Sequence, residues 1–166
     1  MLLSACEPSI NHIQSQSPQF PDHLRVADSL VDKHERTDRE ELREFIGIDP
    51  VLYEWCAAFV NAVLRTNGIS GSESVSNNPL MARSFLDYGT PVDEPKIGDI
   101  VIFSRGEPWQ GHVAFYMATR VIGGEEVVIV LGGNQNDIVS YDSYPSSRVV
   151  DIRRLNTQPL TTKYTP

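Results

Sequence analysis

Basic residues, cysteines, histidines and long apolar runs are all scarce in this chain. Lysine and arginine number 14 against 22 aspartates and glutamates, a net charge of −8. That balance excludes a general nucleic-acid binder, which needs basic surface to displace counterions from phosphates. Two cysteines, Cys6 and Cys56, exclude a disulfide-rich scaffold and a multi-cysteine zinc site. No apolar stretch approaches the ~18 residues of a membrane-spanning helix. Of the four histidines, His12, His23 and His34 fall in polar or charged segments without metal-ligand spacing. His34-Glu35 begins like a zinc-protease signature, but position 38 is aspartate, not the second histidine. Asn134-Gln135-Asn136-Asp137 lacks the spacing and terminal glutamate of an EF-hand loop. No metal and no cofactor are therefore expected. What is present is 166 residues, 40% of them hydrophobic, enough for one domain with a sizeable core.

Leu3-Ser4-Ala5-Cys6 is similar to a bacterial lipobox, which makes Cys6 a candidate lipid anchor. A full secretion signal has a positive start and a longer apolar stretch; here the residues before Cys6 are uncharged. Glu7 to Pro21, rich in Ser, Gln and Pro, reads as a flexible tether. Residues 1–21 are accordingly set apart from a single domain over 22–155, with helices in 22–89 and a sheet in 97–155. Residues 156–166 read as a tail.

Leu24, Ala27, Leu30 and Val31 share one helical face. Thr37-Asp38-Arg39-Glu40 predicts a capping box for a second helix, which Gly47 ends. From Trp55 to Leu64 only Asn61 interrupts an apolar segment that Asn67-Gly68 closes, so a central buried helix is expected there. Asn78-Pro79 predicts a further helix ending at Gly89. After Pro95 the period changes, and five short strands are expected: 99–103, 112–119, 127–131, 138–141 and 149–153. Helices first and strands afterwards indicate an α+β fold, with an antiparallel sheet of about five strands against the central helix.

The residues left for chemistry are Cys56 and His112. Cys56 stands near the start of the central helix, where a thiol pKa can fall. His112, in Gln110-Gly111-His112-Val113, begins a strand. Cysteine and histidine distant in sequence but close in space form a nucleophile–base pair. The competing reading is an inert core cysteine. Asp49-Pro50 is itself a helix-start pair, and a helix begun there would put Cys56 nearly two turns inside, beyond the dipole. Catalysis by Cys56 thus requires a break between Val51 and Glu54. For a third residue to orient the imidazole, a hairpin loop centred on Gly123 sets His112 opposite Asn134. A two-residue Gly123-Gly124 turn sets it opposite Gln135 instead. Asn134 is the first choice. Trp55, Trp109 and the loop 69–77 are candidates to line a cleft.

Four segments, Trp55-Cys56-Ala57-Ala58-Phe59-Val60-Asn61, Pro95-Lys96-Ile97-Gly98-Asp99-Ile100-Val101, Gly111-His112-Val113 and Leu131-Gly132-Gly133-Asn134-Gln135, together resemble the NlpC-type and CHAP cell-wall cysteine hydrolases of bacteria and phages. The resemblance spans about Trp55 to Leu155. It implies a papain-like fold, Cys56 as nucleophile, His112 as general base, a polar third residue matching Asn134, and peptidoglycan as the substrate. It also implies a place in the bacterial envelope, or secretion or phage delivery; a monomer is expected. Tryptophan, not the aspartate of many NlpC-type members, precedes Cys56, and companion wall-binding repeats are absent. The rival readings are an accessory envelope-binding module of the same fold and an acyltransferase using the same triad.

Overall fold

Among the described residues, three α-helices come first and one antiparallel sheet follows, as the change of period predicts. The computed structural model describes residues 20–156; Cys6, most of the tether and residues 157–166 lie outside them. The helices are α1 (Asp22–Asp28), α2 (Arg39–Ile46) and α3 (Cys56–Thr66). Gly47 stops α2 with a left-handed φ of +80°, a conformation glycine adopts without steric cost. The start of α2 differs in detail from the expected box. Asp38 is the N-cap residue, and its carboxylate turns back to accept from the His34 N–H and the Thr37 hydroxyl. The segment after Asn78-Pro79 is a 3-10 helix over Ala82–Asp87, shorter and tighter than the predicted α-helix.

α3 is the hub. Cys56 through Leu64 are all buried, and α1, α2 and the sheet strands over Gly111–Ile122 and Glu125–Gln135 pack around it. Each fully buried Val, Leu or Phe here contributes roughly 1.5–3 kcal/mol relative to exposure, so the all-round apolar sequence can only sit in this position.

The sheet comprises β1 (Thr90–Pro91), β2 (Ile100–Ser104), β3 (Gly111–Ile122), β4 (Glu125–Gln135), β5 (Ile138–Pro145) and β6 (Val149–Arg154). Their spatial order is β1-β6-β2-β3-β4-β5. The strand beyond the expected set is β1, a two-residue edge piece on β6, where proline sacrifices no interior ladder bond. Side chains alternate between two cores. Ile100, Ile102, Val113, Phe115 and Leu131 face the helices. Val101, Phe103, Ala114, Tyr116 and Val130 join Tyr144 and Ile152 on the other side.

The β3–β4 hairpin turns on Gly123-Gly124, with φ of +61° and +86°, as a two-residue type I′ turn requires. Pairing runs from Ile122–Glu125 to Ala118–Ile129, shifts by one residue at a bulge between Tyr116 and Ala118, and ends at Phe115–Leu131. Beyond that pair β4 departs from β3, and its own pairing with β5 shifts between Gly132 and Gln135. The notch so formed receives the start of α3. A side chain on Gly133 would sit 2.4 Å from the Trp55 ring and 2.7 Å from Phe59, so glycine there is what permits the close approach.

Candidate active site

The break that a reactive Cys56 requires is present. Leu52 and Tyr53 each donate backbone hydrogen bonds to the Asp49 carbonyl in a local turn, and Asp49 is held there by Arg39. The chain then leaves the turn, and α3 begins at Cys56 with Trp55 as its N-cap residue. Cys56 therefore occupies the first helical position, where the backbone N–H groups lack intrahelical acceptors. No acidic side chain stands in that first turn.

The backbone N–H groups of Val113 and Ala57 lie near enough to the thiol to favour its ionised form. Val113 is the chain neighbour of His112, so the start of β3 lies directly against Cys56. Cys56 is only 4% exposed, yet it lines a cavity of about 440 Å³ with Glu54, Met81, Arg105 and Trp109. Burial pushes the thiol pKa up, more than the Val113 and Ala57 N–H groups lower it.

His112 is 2% exposed and packs against both Phe103, at 6.3 Å and nearly parallel, and Tyr144, at 5.3 Å, two rings that also touch each other. Its ring is held by Gln135. The Gln135 amide nitrogen donates to the Ser140 carbonyl at 2.6 Å and to the Ser140 hydroxyl at 3.2 Å. The amide oxygen is thereby turned to His112, whose Nε2–H donates to it at 3.1 Å. An imidazole protonated at Nε2 keeps its lone pair on Nδ1, the form a general base needs. Burial pulls the His112 pKa down to about 4, with Arg105 and Arg148 acting in the same direction, while Gln135 and Asp142 oppose them. Thiol and imidazole consequently both rest neutral at pH 7.

The ring partner of His112 is thus Gln135 and not Asn134. After the β3 bulge the register by itself would bring Asn134 opposite His112, but β4 has already left the ladder. Asn134 adopts a left-handed φ of +57°, which turns its side chain outward and Gln135 inward. Asn134 instead donates to Glu54 at 2.8 Å, and Glu54 also pairs with Arg105 at 3.5 Å. This rim trio joins the loop before α3, the loop after β2 and the end of β4; among its members, spacing had singled out Asn134 alone.

The two tryptophans separate. Trp109 is 60% exposed on the cavity wall. Trp55 is fully buried, packs edge-on against Phe59 and donates its indole N–H to buried Glu35 at 3.3 Å. The expectation that Trp55 lines the cleft is therefore corrected: as the N-cap residue of a buried helix it points into the core. The cleft wall comes from Leu80, Met81 and Ala82, not from the loop 69–77. That loop is pinned behind the wall by Asn61, the polar residue in the buried run of α3, which bonds Ser72 and the Pro79 carbonyl.

The family model described as CHAP domain matches residues 48–134, just over half of the chain. No curated protein and no solved structure matches the chain.

Proposed function

The chain belongs to the CHAP-domain family, and on that premise we propose that it hydrolyses an amide bond of peptidoglycan through Cys56, His112 and Gln135. CHAP domains are generally hydrolases of peptidoglycan, of the cysteine peptidase or amidase type. The observation that carries the residue assignment is Cys56 at the first turn of α3, near the Val113 N–H at the start of β3, with the preceding residue on that strand, His112, held by Gln135 in one tautomer.

In this mechanism neutral His112 takes the thiol proton as sulfur attacks the carbonyl carbon, so no thiolate needs to accumulate beforehand. The developing oxyanion is stabilised by the free N–H of Cys56 at the helix start. His112 then gives its proton to the departing amine nitrogen as the C–N bond breaks. Water hydrolyses the thioester, and the proton it loses to His112 returns to sulfur. Gln135 holds the ring throughout. Trp109 and Met81 offer apolar contacts to substrate in the cavity, and a wall-directed activity belongs in the envelope or outside the cell.

The deep burial of the thiol favours one rival, an accessory module that keeps the fold without turnover. Digestion of purified peptidoglycan, with mass spectrometry of the fragments, decides between them. New amine termini with the native protein and none with Cys56→Ala support the hydrolase; identical products, or none from either, reject it.

A further inference from the structure

A second cavity, of about 180 Å³, opens beside the imidazole, lined by His112, Arg105, Arg148, Asn134, Asn136 and Asp142 among others. Two guanidinium groups converge there in a chain of net charge −8. Arg148 is fixed in place: its Nε and Nη2 both donate to the Ser104 carbonyl, at 3.2 and 3.1 Å, and its guanidinium lies 5.2 Å from the centre of the Tyr144 ring. Those bonds leave both Nη1 hydrogens and the second Nη2 hydrogen, the end-on fork of the guanidinium, for another acceptor. Arg105 lines this cavity and the Cys56 cavity alike, and its tie to exposed Glu54 is a surface ion pair, weak enough to yield to a better partner. The opposing carboxylate, Asp142, is engaged by the Ser143 N–H at 2.7 Å. With Glu54 displaced from Arg105, two cations face the one carboxylate that lines this cavity, which leaves room for one further negative charge.

We propose that this cavity holds a free carboxylate of the substrate, on the half of the peptide that carries the departing amine. The inference rests on the hydrolase reading above. His112 delivers its proton to the leaving nitrogen, so a cavity that His112 itself lines adjoins the leaving half. The stem peptides of peptidoglycan carry free carboxylates, and a planar carboxylate matches the fork of a preorganised guanidinium. Asn134 and Asn136 add neutral polar groups to the same wall.

The test uses stem muropeptides with free carboxylates and the same muropeptides converted to carboxamides. Binding of both to Cys56→Ala protein is measured by titration calorimetry, so that turnover does not intervene. The free-carboxylate form should bind about tenfold more tightly, as a charge-assisted hydrogen bond implies. That preference should shrink to about twofold in Cys56→Ala carrying Arg148→Gln, and recover in part with Arg148→Lys. Arg105→Gln, on the exposed loop after β2, serves as the second variant should Arg148→Gln not fold, and is also expected to reduce the preference. Equal affinity for the two forms, tighter binding of the carboxamides, or no binding of either overturns the proposal. Parallel digestion by the wild-type protein separates the two claims. Cleavage without carboxylate preference removes this site and leaves the hydrolase; preference in binding without cleavage does the reverse.

Discussion

Gln135 Oε1 faces His112 Nε2 at 3.1 Å at the point where β4 has left β3, and the adjacent Asn134 turns the opposite way to Glu54. Two consecutive amides thus serve two different surroundings, which makes their roles separable. Gln135→Ala should lower kcat on peptidoglycan by about tenfold to a hundredfold, since an unheld ring samples unproductive tautomers and orientations. Asn134→Ala should cost less, because the ring keeps its partner. Gln135→Glu should raise the His112 pKa and move the acid limb of the kcat/KM profile to higher pH. A larger loss from Asn134→Ala than from Gln135→Ala would reassign the orienting residue.

With the thiol pushed up and the imidazole pulled down to about 4, the free protein should contain little thiolate at neutral pH. Alkylation of native Cys56 by iodoacetamide is then expected to be slow at pH 7 and to accelerate only on the alkaline side. The acid limb of kcat/KM should fall near pH 4, well below that of an ordinary histidine. Rapid alkylation independent of pH from 5 to 8 would instead indicate a resting thiolate–imidazolium pair.

Folding stability should depend on pH through the same ring. An unfolded histidine titrates near 6.5, whereas folded His112 titrates near 4, so between those values the unfolded chain binds the extra proton. Stability is then fully present above about pH 6.5, falls as pH drops, and levels off below about 4, with a loss on the order of 3 kcal/mol. His23, also lowered by burial, adds in the same direction. Urea midpoints measured from pH 7.5 to 4 check this; His112→Gln should flatten part of the slope.

The tryptophans should part company in kinetics and stability. Trp109→Ala, at an exposed wall position, is expected to raise KM several-fold with little change in the urea midpoint. Trp55→Phe removes the bond to Glu35 and some core volume, and should cost about 1–3 kcal/mol. A KM effect from Trp55→Phe without loss of stability would place that ring nearer the substrate than the fold does.

Gly133→Ala should destabilise by about 1–3 kcal/mol through overpacking, because the new methyl meets Trp55 and Phe59 below 3 Å. Ala at Gly47, with open space around it, should cost about 1 kcal/mol from its left-handed backbone alone. Equal midpoints for Gly133→Ala and wild type would show that α3 can retreat from the notch.

Much of this molecule follows from interactions within a few residues. The apolar run over α3, the stop at Gly47 and the alternating strands after Pro95 are local patterns, and burial of one face then leaves little choice of α+β layering. Cys56 and His112 were legible as the candidate pair because so few other chemical groups compete with them. The requirement for a break after Asp49-Pro50 was legible too, but whether it is met depends on a turn clamped by Arg39. The partner of His112 was not legible. A hairpin's turn type sets its register only until a bulge intervenes, and here a bulge, a strand departure and a left-handed Asn134 act in succession. The burial of Trp55, the Glu54–Arg105–Asn134 rim and the paired arginines beside the imidazole join residues up to 80 positions apart. No local rule relates such positions; the packing of α3 into the notch between β3 and β4 does.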